Sequence, residues 1–149
     1  MASCTADAPV GVRLANVVAI ISHDTYRSVL PYAVACASPA GSSLTIFTYV
    51  PMLFTRAYGA MVGYAFDDAK LAAEVREVEL AADALLPRDR SVRFVGGGFK
   101  PGRDCLSLIR ATRPDVVVTS ERHALMLLRV RTASRGRCAV LMTRRSLPG

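Results

Sequence analysis

The chain is short of the features that most quickly identify a function. Its four cysteines, Cys4, Cys36, Cys105 and Cys138, stand singly and far apart, with no Cys-x-x-Cys pair. That spacing speaks against a zinc site or a redox dithiol. It reads instead as reduced thiols packed in apolar surroundings of a cytoplasmic protein. No window of about 20 apolar residues is free of charge, so no membrane span is expected. The apolar run after Arg13 is short and no small-residue cleavage site follows it, so no signal peptide is expected. The phosphate-cradling pattern G-x-x-x-x-G-K-S/T is also missing.

What remains is a well-balanced globular composition. The 149 residues suffice for one domain with one core, at 52% apolar and 21% charged. The net charge of +7 is unevenly placed. From Glu121 to Gly149 there are seven arginines (Arg122, Arg129, Arg131, Arg135, Arg137, Arg144, Arg145) against the single acid Glu121. Such a segment suits an anionic partner, or is a solvated face. No aromatics are interleaved with these arginines, which places nucleic acid last among partners.

Periodicity then gives alternating elements. Asn16–Ser22 (NVVAIIS) is an apolar, β-branched run of strand length, and Thr25–Ala37 reads as a helix capped by Asp24 or Thr25. Pro31 lies inside that helix, which either starts near Ser28 or kinks. Ser43–Val50 is a second strand. Asp67–Leu86 is the clearest helix, since Leu71, Val75, Val78, Ala82 and Leu85 recur at spacings of 4, 3, 4 and 3. Ser91–Gly96 is a third strand, Arg103–Arg113 a short helix, Asp115–Thr119 a fourth strand and Cys138–Met142 a fifth. Ala124–Arg131 reads as about two helical turns.

Strands alternating with helices imply a parallel sheet covered on both faces. Ligands on such sheets bind past the carboxyl ends of the strands, at the switch point. The residues there are Ser22, His23 and Asp24 after strand one, Tyr49, Val50 and Pro51 after strand two, and Thr119 to His123 after strand four. Two connections stand out. Pro51–Phe66 is long and apolar, and fits a ligand lid, an interface, or a segment packed back on the sheet. Gly96–Asp104 (GGGFKPGRD) offers amides, Lys100 and Arg103 to an anion, but a tight passage at a strand end explains the glycines more simply.

The segments Val17–Ala37, Ser42–Pro51, Gly96–Ser120 and Cys138–Arg144 together resemble the universal stress protein family. That resemblance implies an adenine nucleotide alpha hydrolase-like α/β fold with strand order 3-2-1-4-5. It also implies a homodimer, often through the last strand, here Cys138–Met142. Many members of the family bind ATP, with an aspartate at the end of strand one and a loop G-x2-G-x9-G-S/T after strand four. Glycines there let backbone approach the phosphates, and the hydroxyl donates to them. In this chain the glycine positions fall on Ser120, His123 and Ala133, and the hydroxyl position on Ser134. The aspartate position falls near Ile21 or Ser22, with Asp24 two or three residues on.

With those glycines gone, the family's ATP pose is not expected, and no cofactor is. The expected protein is a single domain over residues 15–145, between a flexible 1–14 and a tail at 146–149. It acts in regulation or stress response through dimerisation and protein or small-ligand contacts, without enzyme activity. The alternative is a nucleotide-binding module in which arginines stand in for the glycines. The candidate binding residues for either ligand are Ser22, Asp24, Val50, Ser120, Arg122, His123, Ser134 and Arg135. Catalysis by Ser120 with His123 would need an orienting acid, and Asp24 is the nearest. A metal at His23 and His123 would need a third ligand, for which Asp24 or Glu121 are nearest.

Overall fold

The computed structural model describes residues 15–51, 68–88, 91–98, 100–123, 126, 130–131 and 138–143. Five strands form one parallel sheet: β1 (Asn16–Ile21), β2 (Ser43–Thr48), β3 (Val92–Gly96), β4 (Val116–Ser120) and β5 (Ala139–Thr143). Their order is β3-β2-β1-β4-β5, as expected. Among the described residues three helices with both ends described connect them: α1 (Tyr26–Cys36), α2 (Asp68–Asp83) and α3 (Pro101–Thr112).

The central strand shows why this sheet forms. β1 pairs with β2 along its whole length, from Asn16↔Ser43 to Ile21↔Thr48. On its other side it pairs with β4 over Val17↔Val116 to Ala19↔Val118. Val17 to Ile21 are all fully buried. A strand covered on both faces needs such an unbroken apolar run. Each large aliphatic side chain in it stabilises the fold by about 1.5–3 kcal/mol. Val17, Ala19 and Ile21 face a core with α1 and with Val78, Ala82 and Leu86. Val18 and Ile20 face the other core, with Cys105, Leu108 and Ile109 of α3 and with Met126 and Val130.

The helices differ from expectation in detail. α1 runs through Pro31 and starts at Tyr26 rather than near Ser28. Thr25 holds the cap position but makes no side-chain capping bond, because its hydroxyl is used elsewhere. On α2 the stripe is Leu71, Val75, Val78 and Ala82; Leu86 continues it, while Leu85 is 54% exposed. The helix ends at Asp83, so the 3.6-residue period no longer governs Leu85. α3 starts at Pro101, where a missing N–H costs nothing, and ends on Arg113 in the left-handed conformation (φ 46°).

Gly96, the last residue of β3, and Gly97 after it are accounted for by packing. A Cβ on Gly97 would lie 3.0 Å from Phe47 Cζ and 3.1 Å from Tyr49 Cβ. A Cβ on Gly96 would lie 2.9 Å from Val75 Cγ1. The amides are also taken: Gly97 N–H donates to the Thr48 carbonyl at 2.7 Å, and Gly98 N–H to Asp104 Oδ2 at 2.7 Å. The α3 end of this turn thus already holds an anion, the chain's own carboxylate.

Cys105 and Cys138 are buried free thiols, and burial pushes the Cys105 thiol up to about 12. Cys36 is disulfide-bonded, which corrects the expectation of four reduced thiols. The correction also removes cysteine usage as an argument for a reducing compartment. The apolar connection Pro51–Phe66 lies, beyond Pro51, outside the described residues, as do residues 1–14 and 146–149. Of Ala124–Arg131, the described Met126, Val130 and Arg131 are helical. Among the described residues no helix is long and apolar enough to cross a membrane.

Candidate functional site

Pairing between β1 and β4 ends at Ala19↔Val118, and the residues that follow the two strands meet there. After β1 the chain turns through Ser22–Thr25, with Thr25 and Tyr26 N–H both donating to the Ser22 carbonyl. After β4 it turns through a single 3-10 turn, Glu121–His123. That turn is set by Ser120, whose Oγ accepts from Arg122 N–H at 3.3 Å. Because it curls the chain inward, His123 is only 4% exposed while Arg122 stays at the mouth.

His123 is held from both sides. Its Nε2 lies 2.9 Å from Thr25 Oγ1, and its Nδ1 is in hydrogen-bond contact with the Tyr49 hydroxyl. The Tyr49 and His123 rings meet edge to face at 5.0 Å between centroids, and Phe47 stacks behind Tyr49 at 6.2 Å. Thr25 Oγ1 also accepts from Ser22 N–H at 2.9 Å and lies 3.1 Å from Ser22 Oγ. Ser22 Oγ donates to Asp24 Oδ1 at 2.6 Å, and Asp24 Oδ2 pairs with Arg122 Nη1. The side chains of Asp24 and Arg122 remain 35% and 36% exposed, so this ion pair forms the outer rim.

The electrostatics follow from this layering. Burial lowers His123 to about 4; Asp24 acts to raise it and Arg122 to lower it. At neutral pH the imidazole is therefore uncharged. Burial pushes the Tyr49 phenol up, helped by the charge of Asp24. Burial also works against ionisation of Asp24. The Ser22 hydroxyl and the Arg122 guanidinium outweigh it and hold the carboxyl below its ordinary value.

Of the residues expected at the site, Ser22, Asp24, Arg122 and His123 come together, and Ser120 supports the turn beneath them. Val50 goes elsewhere: it packs against Leu71 and Val75 of α2, because the side chains of successive residues leave a strand on opposite faces. Ser134 and Arg135 lie outside the described residues, as does Ala133. The sequence marks Thr25 only as a cap and Tyr49 only as a strand-exit residue, yet both contact His123. Tyr49 was legible from its period: with Phe47 it lies on the α3-facing side of β2.

Two chemical readings lose their geometry. The Ser120 hydroxyl accepts from Arg122 N–H, while both ring nitrogens of His123 are occupied by Thr25 and Tyr49. Ser120 and His123 thus form no nucleophile–base pair. Asp24 reaches Ser22 and Arg122, with Thr25 between it and the imidazole. Among the described residues no group of three or more His, Cys, Asp and Glu side chains is placed to hold a metal ion.

No protein-family profile matches the chain. No curated protein matches it either. Among solved structures it is similar to a crystal structure of a universal stress protein in complex with cAMP. The likeness has 20% identity, covers 90% of this chain and 100% of that one, and has a TM-score of 0.49.

Proposed function

We propose that this chain is a non-catalytic regulatory domain of the universal stress type, whose switch-point crevice is closed by its own side chains. The observation that carries this reading is the double engagement of His123. His123 is tied on both ring nitrogens, and the resemblance assigns its position to a glycine of the phosphate loop. The Asp24–Arg122 pair then covers it. A domain built this way acts through protein contacts or a small ligand rather than through ATP.

The partner proposed first is a second copy of the chain, joined along β5. Among the described residues β5 pairs on one side only, with β4, and its Met142 is 40% exposed. An apolar edge strand with unpaired backbone favours a partner strand. Light scattering at micromolar concentration tests this, and a monomer would count against it.

A second reading has one observation behind it. Arg122 sits at the rim with a carboxylate as its partner, and a phosphate is chemically able to replace that carboxylate. Arginines would then take the role of the missing glycines. A thermal-shift panel with ATP, AMP and cAMP separates the two readings. The closed-crevice reading expects no shift at neutral pH. A clear shift with ATP that Arg122→Ala abolishes would replace it with the second.

A further inference from the structure

The contacts around His123 form one chain from the core to the surface. It runs from the Tyr49 hydroxyl to His123 Nδ1, from Nε2 to Thr25 Oγ1, on to Ser22 Oγ, and ends on Asp24 Oδ1. Counting protons leaves one assignment. Ionised Asp24 only accepts, so Ser22 spends its single proton on it. Ser22 Oγ must then accept, and Thr25 is its donor. Thr25 Oγ1, having donated, accepts from Ser22 N–H and from His123 Nε2–H, which fills both its lone pairs. Nδ1 is therefore bare and accepts from Tyr49. The opposite tautomer fails at two places. It leaves the Thr25 and Ser22 oxygens facing each other at 3.1 Å with no proton between them, and it leaves the buried Tyr49 hydrogen without this acceptor.

An extra proton on this chain reverses its inner end. Protonated His123 presents N–H on both sides, so the Tyr49 hydroxyl has to turn round and accept from Nδ1–H, which leaves its own buried hydrogen without this acceptor. The cation would also lie close to Arg122, with Asp24 already committed to that guanidinium. We propose that His123 is an acid-operated latch: neutral, it closes the β1–β4 crevice; protonated at Nδ1, it lets go of Tyr49 and opens it.

The charges that bear on this proton are Asp24, on the turn after β1, and Arg122, on the 3-10 turn, while Tyr49 after β2 lies against the ring and Cys105 of α3 acts on Tyr49. Asp24 favours the cation and Arg122 opposes it, while burial opposes it most. Cys105 stays a neutral thiol and adds no charge at neutral pH.

This inference rests on the closed crevice proposed above, and its test is independent of nucleotide binding. The imidazole of the 15N-labelled full-length chain is observed by NMR from pH 7.5 to pH 3.5, with amide exchange of Ser22 followed in parallel. Expected at pH 7.5 is the Nε2–H form with an unprotonated Nδ1. Expected on acidification is loss of Ser22 protection, corrected for intrinsic exchange, with the same midpoint as His123 protonation. Tyr49→Phe removes the donor that occupies Nδ1 and should move that midpoint up by about one pH unit. An Nδ1–H form at pH 7.5, or Ser22 protection that does not follow the imidazole, would overturn the latch. The wild-type spectrum decides this even if the variant fails to fold. ATP binding at neutral pH would instead remove the closed-crevice reading and leave the tautomer result standing.

Discussion

Thr25 Oγ1 and His123 Nε2 meet at 2.9 Å although 98 residues separate them. The contact ties the turn after β1 to the turn after β4, across the crevice that a parallel sheet opens at its switch point. It also explains why Thr25 does not cap α1 with its side chain. Its two lone pairs already accept from Ser22 N–H and from His123.

That contact sets the first prediction. Thr25→Val keeps the shape but leaves a buried imidazole N–H and the Ser22 N–H without this acceptor. An unsatisfied buried polar group costs about 1–3 kcal/mol. Urea denaturation should show a loss of that order for Thr25→Val, and little for Thr25→Ser, which retains the oxygen. Equal losses in the two variants would mean that the hydroxyl does not matter.

The second concerns pH. The folded state holds His123 at about 4 against an ordinary value of 6.5. As pH falls the unfolded chain takes up this proton first, so the unfolded state gains. Stability from this group is complete above about pH 6.5 and falls by on the order of 3 kcal/mol by pH 4. Asp24 acts in the same direction but lower, since its folded value is depressed and its contribution fades as pH falls through that value. Denaturation curves between pH 7.5 and 4 should lose their slope in His123→Asn. A slope that survives the substitution would assign it to other groups.

The third rests on Gly97. A methyl group there meets Phe47 Cζ at 3.0 Å and Tyr49 Cβ at 3.1 Å, both in a packed core. Overpacking of this kind costs about 1–3 kcal/mol. Gly97→Ala should therefore lower the melting temperature and should disturb the Tyr49–His123 contact, visible as a shift of the His123 ring signals. An unchanged melting temperature would mean that the neighbours yield freely.

The fourth uses a buried hydroxyl. Thr119 Oγ1, near the end of β4, is fully buried and has no hydrogen-bond partner among the described residues. Replacing it with valine removes a desolvated polar atom and keeps the branched shape. Thr119→Val should leave stability unchanged or raise it by about 1 kcal/mol. A marked loss would reveal a hydrogen bond that Thr119 makes in solution.

Much of this was legible from residue order alone. Continuous β-branched runs at Val17–Ile21 and Val116–Val118 could only be strands covered on both faces, and their alternation with helical periods fixed a parallel sheet. The same pattern placed Ser22, Asp24, Arg122 and His123 at strand ends that fold together. Side-chain direction beyond the strands was not legible. Val50 turned toward α2 because it leaves the strand on the opposite face from Tyr49. Thr25 looked like a cap because its position is a cap; its hydroxyl is diverted by a residue 98 positions away. The glycines at the end of β3 read as a tight passage, and Phe47, Tyr49 and Val75 are what they pass. No local pattern could report those contacts, since each partner lies on a different element.

The account stands or falls on whether the crevice is filled. Isothermal titration calorimetry of the intact chain with ATP and Mg2+ at pH 7.5 measures this most directly. We expect no binding heat up to millimolar ATP for the wild-type protein, whose His123 is tied by Thr25 and Tyr49. Micromolar binding to the wild-type chain, with the His123 ring signals displaced on titration, would contradict it.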